Sequence, residues 1–288
     1  MKLREISLIF LAFLYIGCKS GEIKLADPFE KIQVETSHDA LTQPVNDTTN
    51  NLYRLGNRYE YEYYYIRDNQ QYLFSFTINP DTGRKEWGLV SRNSADKNTV
   101  AKLVLEITEG GRLNRALAYE VNQHLHGQTL IRYSYKAPDN RELSYEITGL
   151  VENDSIYFFH PPRFGYFKIL ELNPFPYYLG DSKKTDCWIW QLNAVSGPMF
   201  GDEKWKVWDD LIDINETYKN VGKYKRYCQG AGRSVWCTKI IAKAESALGE
   251  TSLIAYFNNQ LGFVELEYRN IDQSKLVLKL TEAPNQIE

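Results

Sequence analysis

The chain has 288 residues, 43% of them hydrophobic, 25% charged and 14% aromatic. This composition excludes a disordered, collagenous or multi-spanning membrane chain and describes a folded globular protein. The formal net charge is −3, so no overall basic field exists to collect nucleic acid or anionic lipid.

Residues 1–17 read as a signal peptide. Lys2 and Arg4 precede an apolar run from Ile6 to Ile16, which is shorter than the roughly 20 residues needed to span a bilayer. The run ends in Tyr15-Ile16-Gly17-Cys18, which resembles the lipobox of bacterial lipoproteins, with Tyr15 standing where Leu is usual. The resemblance implies lipidation of Cys18 and a membrane partner reached through that anchor, since acyl chains bind by burying CH₂ groups. Lys19 follows the cysteine where the inner-membrane retention signal has Asp, which by analogy favours the outer membrane.

Residues 18–51 hold no sustained apolar period and read as a tether with a reach of roughly 30 Å. Asp47-Thr48-Thr49 resembles a short Bacteroidetes O-glycosylation signal. A single β domain is expected over 52–282, with a C-terminal tail at 283–288.

From Leu52 onward, apolar and polar residues alternate in short segments separated by turn residues. Tyr59, Tyr61, Tyr63 and Tyr65 share one face. So do Tyr72, Phe74 and Phe76, before a turn at Asn79-Pro80-Asp81-Thr82-Gly83. Further sets are Leu103, Leu105 and Ile107; Ile131, Tyr133 and Tyr135; Trp188, Trp190 and Leu192; Val264, Leu266 and Tyr268; and Leu276, Leu278 and Leu280. Strict alternation predicts half-buried antiparallel strands, and Tyr, Phe, Trp, Val and Ile suit a pleated surface. The expected fold is all-β: an antiparallel meander forming a barrel or a strongly curved half-barrel. At most one short helix is expected, in the segment containing Trp205, Trp208 and Ile212.

Cys228 and Cys237 flank the glycine-rich Gly230–Arg233 turn. If a hairpin centres there, the two cysteines oppose each other and form a disulfide. Cys187, among tryptophans, is left as a buried thiol or as the partner of one of them.

Candidate chemistry is sparse. His124 and His126 are two apart, as metal ligands on one strand face would be, but no acidic cluster accompanies them, and no metal or cofactor is expected. Asp209, Asp210 and Asp213 beside Trp205 and Trp208 have the residue types of a glycoside hydrolase. Residues His160-Pro161-Pro162-Arg163 and Asn173-Pro174-Phe175-Pro176 are rigid extended runs at strand ends, suited to the rim of a barrel. No nucleophile elbow, phosphate loop or zinc-protease motif is present, so no catalytic residue is assigned.

The last third carries a strand with Cys237 and Thr238, then AKAESALGETSLIAYF, NNQLGFVELEY and KLVLKL. This pattern resembles uncharacterised all-β envelope proteins, among them the DUF3108-like group and Bacteroidetes-type lipoproteins of similar length. The resemblance implies a curved β-sheet or barrel and transfers no catalytic residue. The leading expectation is a non-enzymatic binding or assembly role, with a lipid or glycan ligand lined by Tyr61, Tyr63, Phe74, Tyr133, Trp188 and Trp190. The alternatives are the carboxylate hydrolase and a purely structural scaffold.

Overall fold

The computed structural model describes residues 50–83, 85–108, 129–152, 156–180, 186–194 and 212–284. Among them are fourteen strands: β1 (Arg58–Arg67), β2 (Gln70–Ile78), β3 (Lys85–Ser91), β4 (Lys102–Thr108), β5 (Thr129–Lys136), β6 (Glu142–Glu152), β7 (Ile156–Phe159), β8 (Tyr177–Leu179), β9 (Cys187–Ala194), β10 (Ile212–Cys228), β11 (Arg233–Ser246), β12 (Gly249–Asn258), β13 (Gly262–Arg269) and β14 (Lys275–Glu282). The only helical segment longer than three residues among the described residues is a 3-10 helix at Gly165–Leu172.

All strands join one antiparallel sheet in the order β8-β7-β6-β5-β4-β1-β14-β13-β12-β11-β10-β9, with the β2–β3 hairpin attached to β1. The sheet is therefore two meanders joined where the first strand pairs with the last. One edge of β1 is divided between β4, which takes Arg58–Glu62, and β2, which takes Tyr65–Arg67. Its other edge pairs with β14. The sheet does not close: β8 and β9 share no ladder.

The alternation read from the sequence is realised. Tyr59, Tyr61, Tyr63 and Tyr65 are all buried, and Glu62, between them, is not. The inward face carries one continuous core in which aromatic rings predominate. Tyrosine recurs there because its ring fills the interior while its hydroxyl ties a strand to a distant loop. Tyr59 donates to the Leu52 carbonyl (2.7 Å), Tyr61 to that of Phe263 (2.9 Å) and Tyr63 to that of Val100 (2.8 Å).

Two of the described residues, Asn50 and Asn51, fall within the expected tether. Asn50 is buried and donates to Thr129 Oγ1. The Glu152 carboxylate accepts from the backbone N–H groups of Asn51, Leu52 and Tyr53 at 2.7–2.8 Å.

The expected disulfide is corrected. The β10–β11 turn pairs Cys228 with Arg233 and Cys237 with Tyr224, so the cysteines are offset by four residues along the strand. Both are buried free thiols, and burial pushes the Cys237 thiol up to about 12. Cys187, the first residue of β9, is half-buried rather than buried. The turn is a short 3-10 turn at Gln229–Ala231 with Gly232 in the left-handed region, and the hairpin centre lies two positions before the one that would oppose the two cysteines.

Candidate functional site at the aromatic seam

Although β8 and β9 lie at opposite ends of the sheet order, only residues 180–186 separate them in the chain. The curvature of the sheet brings these ends face to face, and side chains rather than backbone hydrogen bonds fill the join. Phe158 of β7 packs edge-on to Trp190 of β9, with ring centroids 4.9 Å apart. Tyr177 of β8 meets Trp188 of β9 at 5.4 Å and Tyr218 of β10 at 5.3 Å. Trp188 stacks on Tyr218 with an interplanar angle of 4°. Phe175, held between two prolines, touches Phe158, His160 and Trp190.

The proline-containing runs frame this seam. Pro161 and Pro162 are buried, and Arg163 is half-buried. The run is fixed from beneath: Tyr133 donates to the His160 carbonyl (2.9 Å), and the Arg163 N–H donates to Glu146 Oε1 (2.8 Å). Tyr135 donates to the same Glu146 oxygen (2.5 Å). Gly165, directly after the run, has φ +61°, and a Cβ there would lie 2.4 Å from the Trp87 ring. The rim is thus docked onto the core.

Two carboxyls and one imidazole lie within this framework, and burial moves all three. Glu216 is completely buried at an inward position of β10 and raised to about 8 by desolvation. Tyr218 donates to its Oε2, and the same hydroxyl lies 3.0 Å from the Phe175 carbonyl. Desolvation also raises Glu146, despite hydrogen bonds from Tyr135 and the Arg163 backbone that oppose the shift. Desolvation, and secondarily Arg163, lowers His160 to about 3, so its ring is neutral at physiological pH. Glu216 Oε1 and Trp188 Nε1 are buried and have no hydrogen-bond partner among the described residues.

Glu216 was not singled out by the sequence reading, although a signal was present. In IDINETY, Ile212, Ile214, Glu216 and Tyr218 alternate strictly with exposed residues, so Glu216 occupies a position that the pattern reserves for apolar side chains. The short helix expected around Trp205, Trp208 and Ile212 overlaps only the start of this strand. Ile212 and Asp213 belong to β10, whereas Trp205, Trp208, Asp209 and Asp210 lie outside the described residues. Asp213 is exposed, on the face of β10 opposite Glu216. His124, His126 and Cys18 also lie outside the described residues.

All six expected lining residues belong to the one continuous core, at different places within it. Trp188 and Trp190 belong to the seam, and Tyr133 reaches it through His160. Tyr63 and Phe74 pack on Phe167 at 4.9 and 4.7 Å, with the Phe74 N–H donating to the Tyr63 hydroxyl. Tyr61 points to the β12–β13 turn. All six are at most 7% exposed. Among the described residues no group of three His, Cys, Asp or Glu is placed to hold a metal ion.

The class defined by these features is an open, strongly curved antiparallel sheet whose ends meet across an aromatic seam. No family model and no curated protein matches the chain. Among solved structures, a protein described as exported and YmcC-like in fold from Bacteroides fragilis aligns at 9% identity and TM-score 0.39, covering 81% of this chain and 98% of that one. A protein described as a lipoprotein from Parabacteroides distasonis aligns at 10% identity and TM-score 0.36, covering 81% and 96%. The hypothetical lipoprotein YmcC from Escherichia coli aligns at 9% identity and TM-score 0.28, covering 82% and 94%. These are likenesses of outline; the fold assignment rests on the ladders above.

Proposed function

We propose that the chain is a lipid-anchored protein of the cell envelope, held through Cys18 at the outer membrane, with a non-enzymatic role in binding or assembly. The leader and the Gly17-Cys18 junction support the anchor. Mass spectrometry of the mature N-terminus tests it: an acylated Cys18 is expected, and an unmodified N-terminal residue other than Cys18 overturns it.

The binding role rests on the seam. It is lined by aromatic faces, holds an indole N–H at Trp188 and a carboxyl oxygen at Glu216 that have no hydrogen-bond partner among the described residues, and has no backbone ladder between β8 and β9. Ring faces beside a few polar groups suit an apolar or glycan ligand. The full chain is titrated with soluble glycan fragments and with fatty-acid probes while tryptophan fluorescence is followed. A saturable response weakened about tenfold or more in Trp188→Phe is expected, because that variant keeps the ring stack and loses the donor. No saturable response to either class removes the seam as a binding site. The dense packing of Tyr61, Tyr63, Phe74 and Tyr133 favours a second reading, a structural scaffold with a solid interior.

A further inference from the structure

The net charge of −3 conceals a local inversion. Residues 217–244 contain seven Lys or Arg and no Asp or Glu, leaving 27 basic against 37 acidic residues in the rest of the chain. This stretch forms most of the long β10–β11 hairpin. At Val221 a bulge inserts one residue into β10: Asn220 opposes Ile240, and Gly222 opposes Lys239. Such an insertion reverses the side-chain alternation beyond it. The face of β10 that is inward up to the bulge carries even-numbered residues there and continues with odd-numbered residues after it, which are exposed, whereas Arg226 and Cys228 on the other face are half-buried and buried.

Beyond the bulge the continuation of the core face therefore carries Lys223, Lys225 and Tyr227 opposite Thr238, Trp236 and Ser234. Here it has left the core. Tyr227 is 69% exposed and Trp236 60% exposed. Lys225 lies over the Trp236 ring, 5.2 Å from its centroid. Tyr224 and Arg233 are exposed on the other side of the same tip. Arg226 is already engaged by Glu265 and Glu267, whereas no carboxylate pairs with Lys223, Lys225 or Arg233 among the described residues. The tip is braced: the backbone around Gly230 lies against that of Glu282 and Ala283. The result is a rigid finger with unspent positive charge and exposed indole and phenol rings.

We propose that this finger docks on an anionic membrane surface, with Lys223, Lys225 and Arg233 reading headgroup phosphates and Trp236 and Tyr227 entering the interface. Charge complementarity selects the occupant, and Trp and Tyr are the side chains that settle at the headgroup level with an apolar body and a polar tip. The proposal rests on the envelope reading for its setting, but its chemistry is testable apart from the anchor.

The full chain is reconstituted into phosphatidylcholine vesicles carrying brominated acyl chains, with and without about 30% phosphatidylglycerol. Trp236 is followed as the difference between wild type and Trp236→Phe. Quenching of the Trp236 signal at least about twofold stronger with phosphatidylglycerol is expected. It should fall in high salt and disappear in the triple variant Lys223→Gln, Lys225→Gln, Arg233→Gln. Equal quenching in both vesicle types, or none in either, overturns the proposal. A shift of Trp236 emission on adding dextran sulfate, with no quenching in anionic vesicles, overturns it in favour of an anionic glycan. Because the signal comes from the finger, a chain found unmodified at Cys18 still gives the expected quenching if the finger binds as proposed.

Discussion

Glu216 and His160 are both held neutral by burial, with opposite consequences for stability. Glu216 has its proton-binding constant raised from 4.5 to about 8, so the unfolded chain loses the proton first as pH rises. Its contribution is complete below about pH 4.5 and is lost as pH rises to about 8, amounting to roughly 3–5 kcal/mol across that window. His160 is lowered from 6.5 to about 3, so its contribution is complete above pH 6.5 and is lost as pH falls through that range. Together they give a plateau between about pH 4.5 and 6.5 with a decline on either side. Chemical denaturation across pH is expected to show this form, and Glu216→Gln is expected to flatten the alkaline limb while leaving the acid limb in place. At this scale the sequence was partly legible: the HPPR run led to His160, but an acid in an inward register position is visible only once the strand has been recognised.

Strands and turns were the most legible level, because a period of two needs no partner to be seen. The run of four tyrosines in β1 predicted its own buried face. What the pattern did not supply was register. Cys228 and Cys237 lie near a glycine-rich turn, but the pairing across it depends on which residues take the turn's backbone conformations, and a shift of the turn separated them. Gly262 is required for a more local reason. It begins β13 at φ +78°, and a Cβ there would lie 2.2 Å from the Tyr53 hydroxyl. Gly83, at φ +66°, has nothing within 4 Å of the same position. Gly262→Ala is therefore expected to cost about 2–4 kcal/mol and Gly83→Ala about 1 kcal/mol, since only the first adds a clash to the backbone cost. Urea midpoints of the two variants test the difference.

For the whole molecule, the decisive facts are long-range and left little trace in the sequence. Nothing local in β8 or β9 says that they face each other, because that follows from the accumulated curvature of the strands between them. The seam is also the line along which the sheet is least firmly joined. Every other junction has a backbone ladder, whereas this one relies on rings. Trp190→Ala removes a ring that touches Phe158, Phe175 and Tyr177. It is expected to cost about 3–5 kcal/mol and to raise hydrogen exchange in β8 and β9 while β11–β13 stay protected. Uniform exchange along the sheet would mean that the seam is no weaker than a ladder.

The pairing of β1 with β14 has a consequence in time. β1 lies some 200 residues before β14, so as the chain emerges N-terminus first, β1 must wait for its partner. During that wait one side of β1 is an open template, and its tyrosines would suit a strand from any neighbouring chain. Glu60 and Glu62 break up that run, and Arg58 and Arg67 close its two ends. Charges so placed discourage premature pairing. They guard the nascent chain until its last strand arrives to claim the edge.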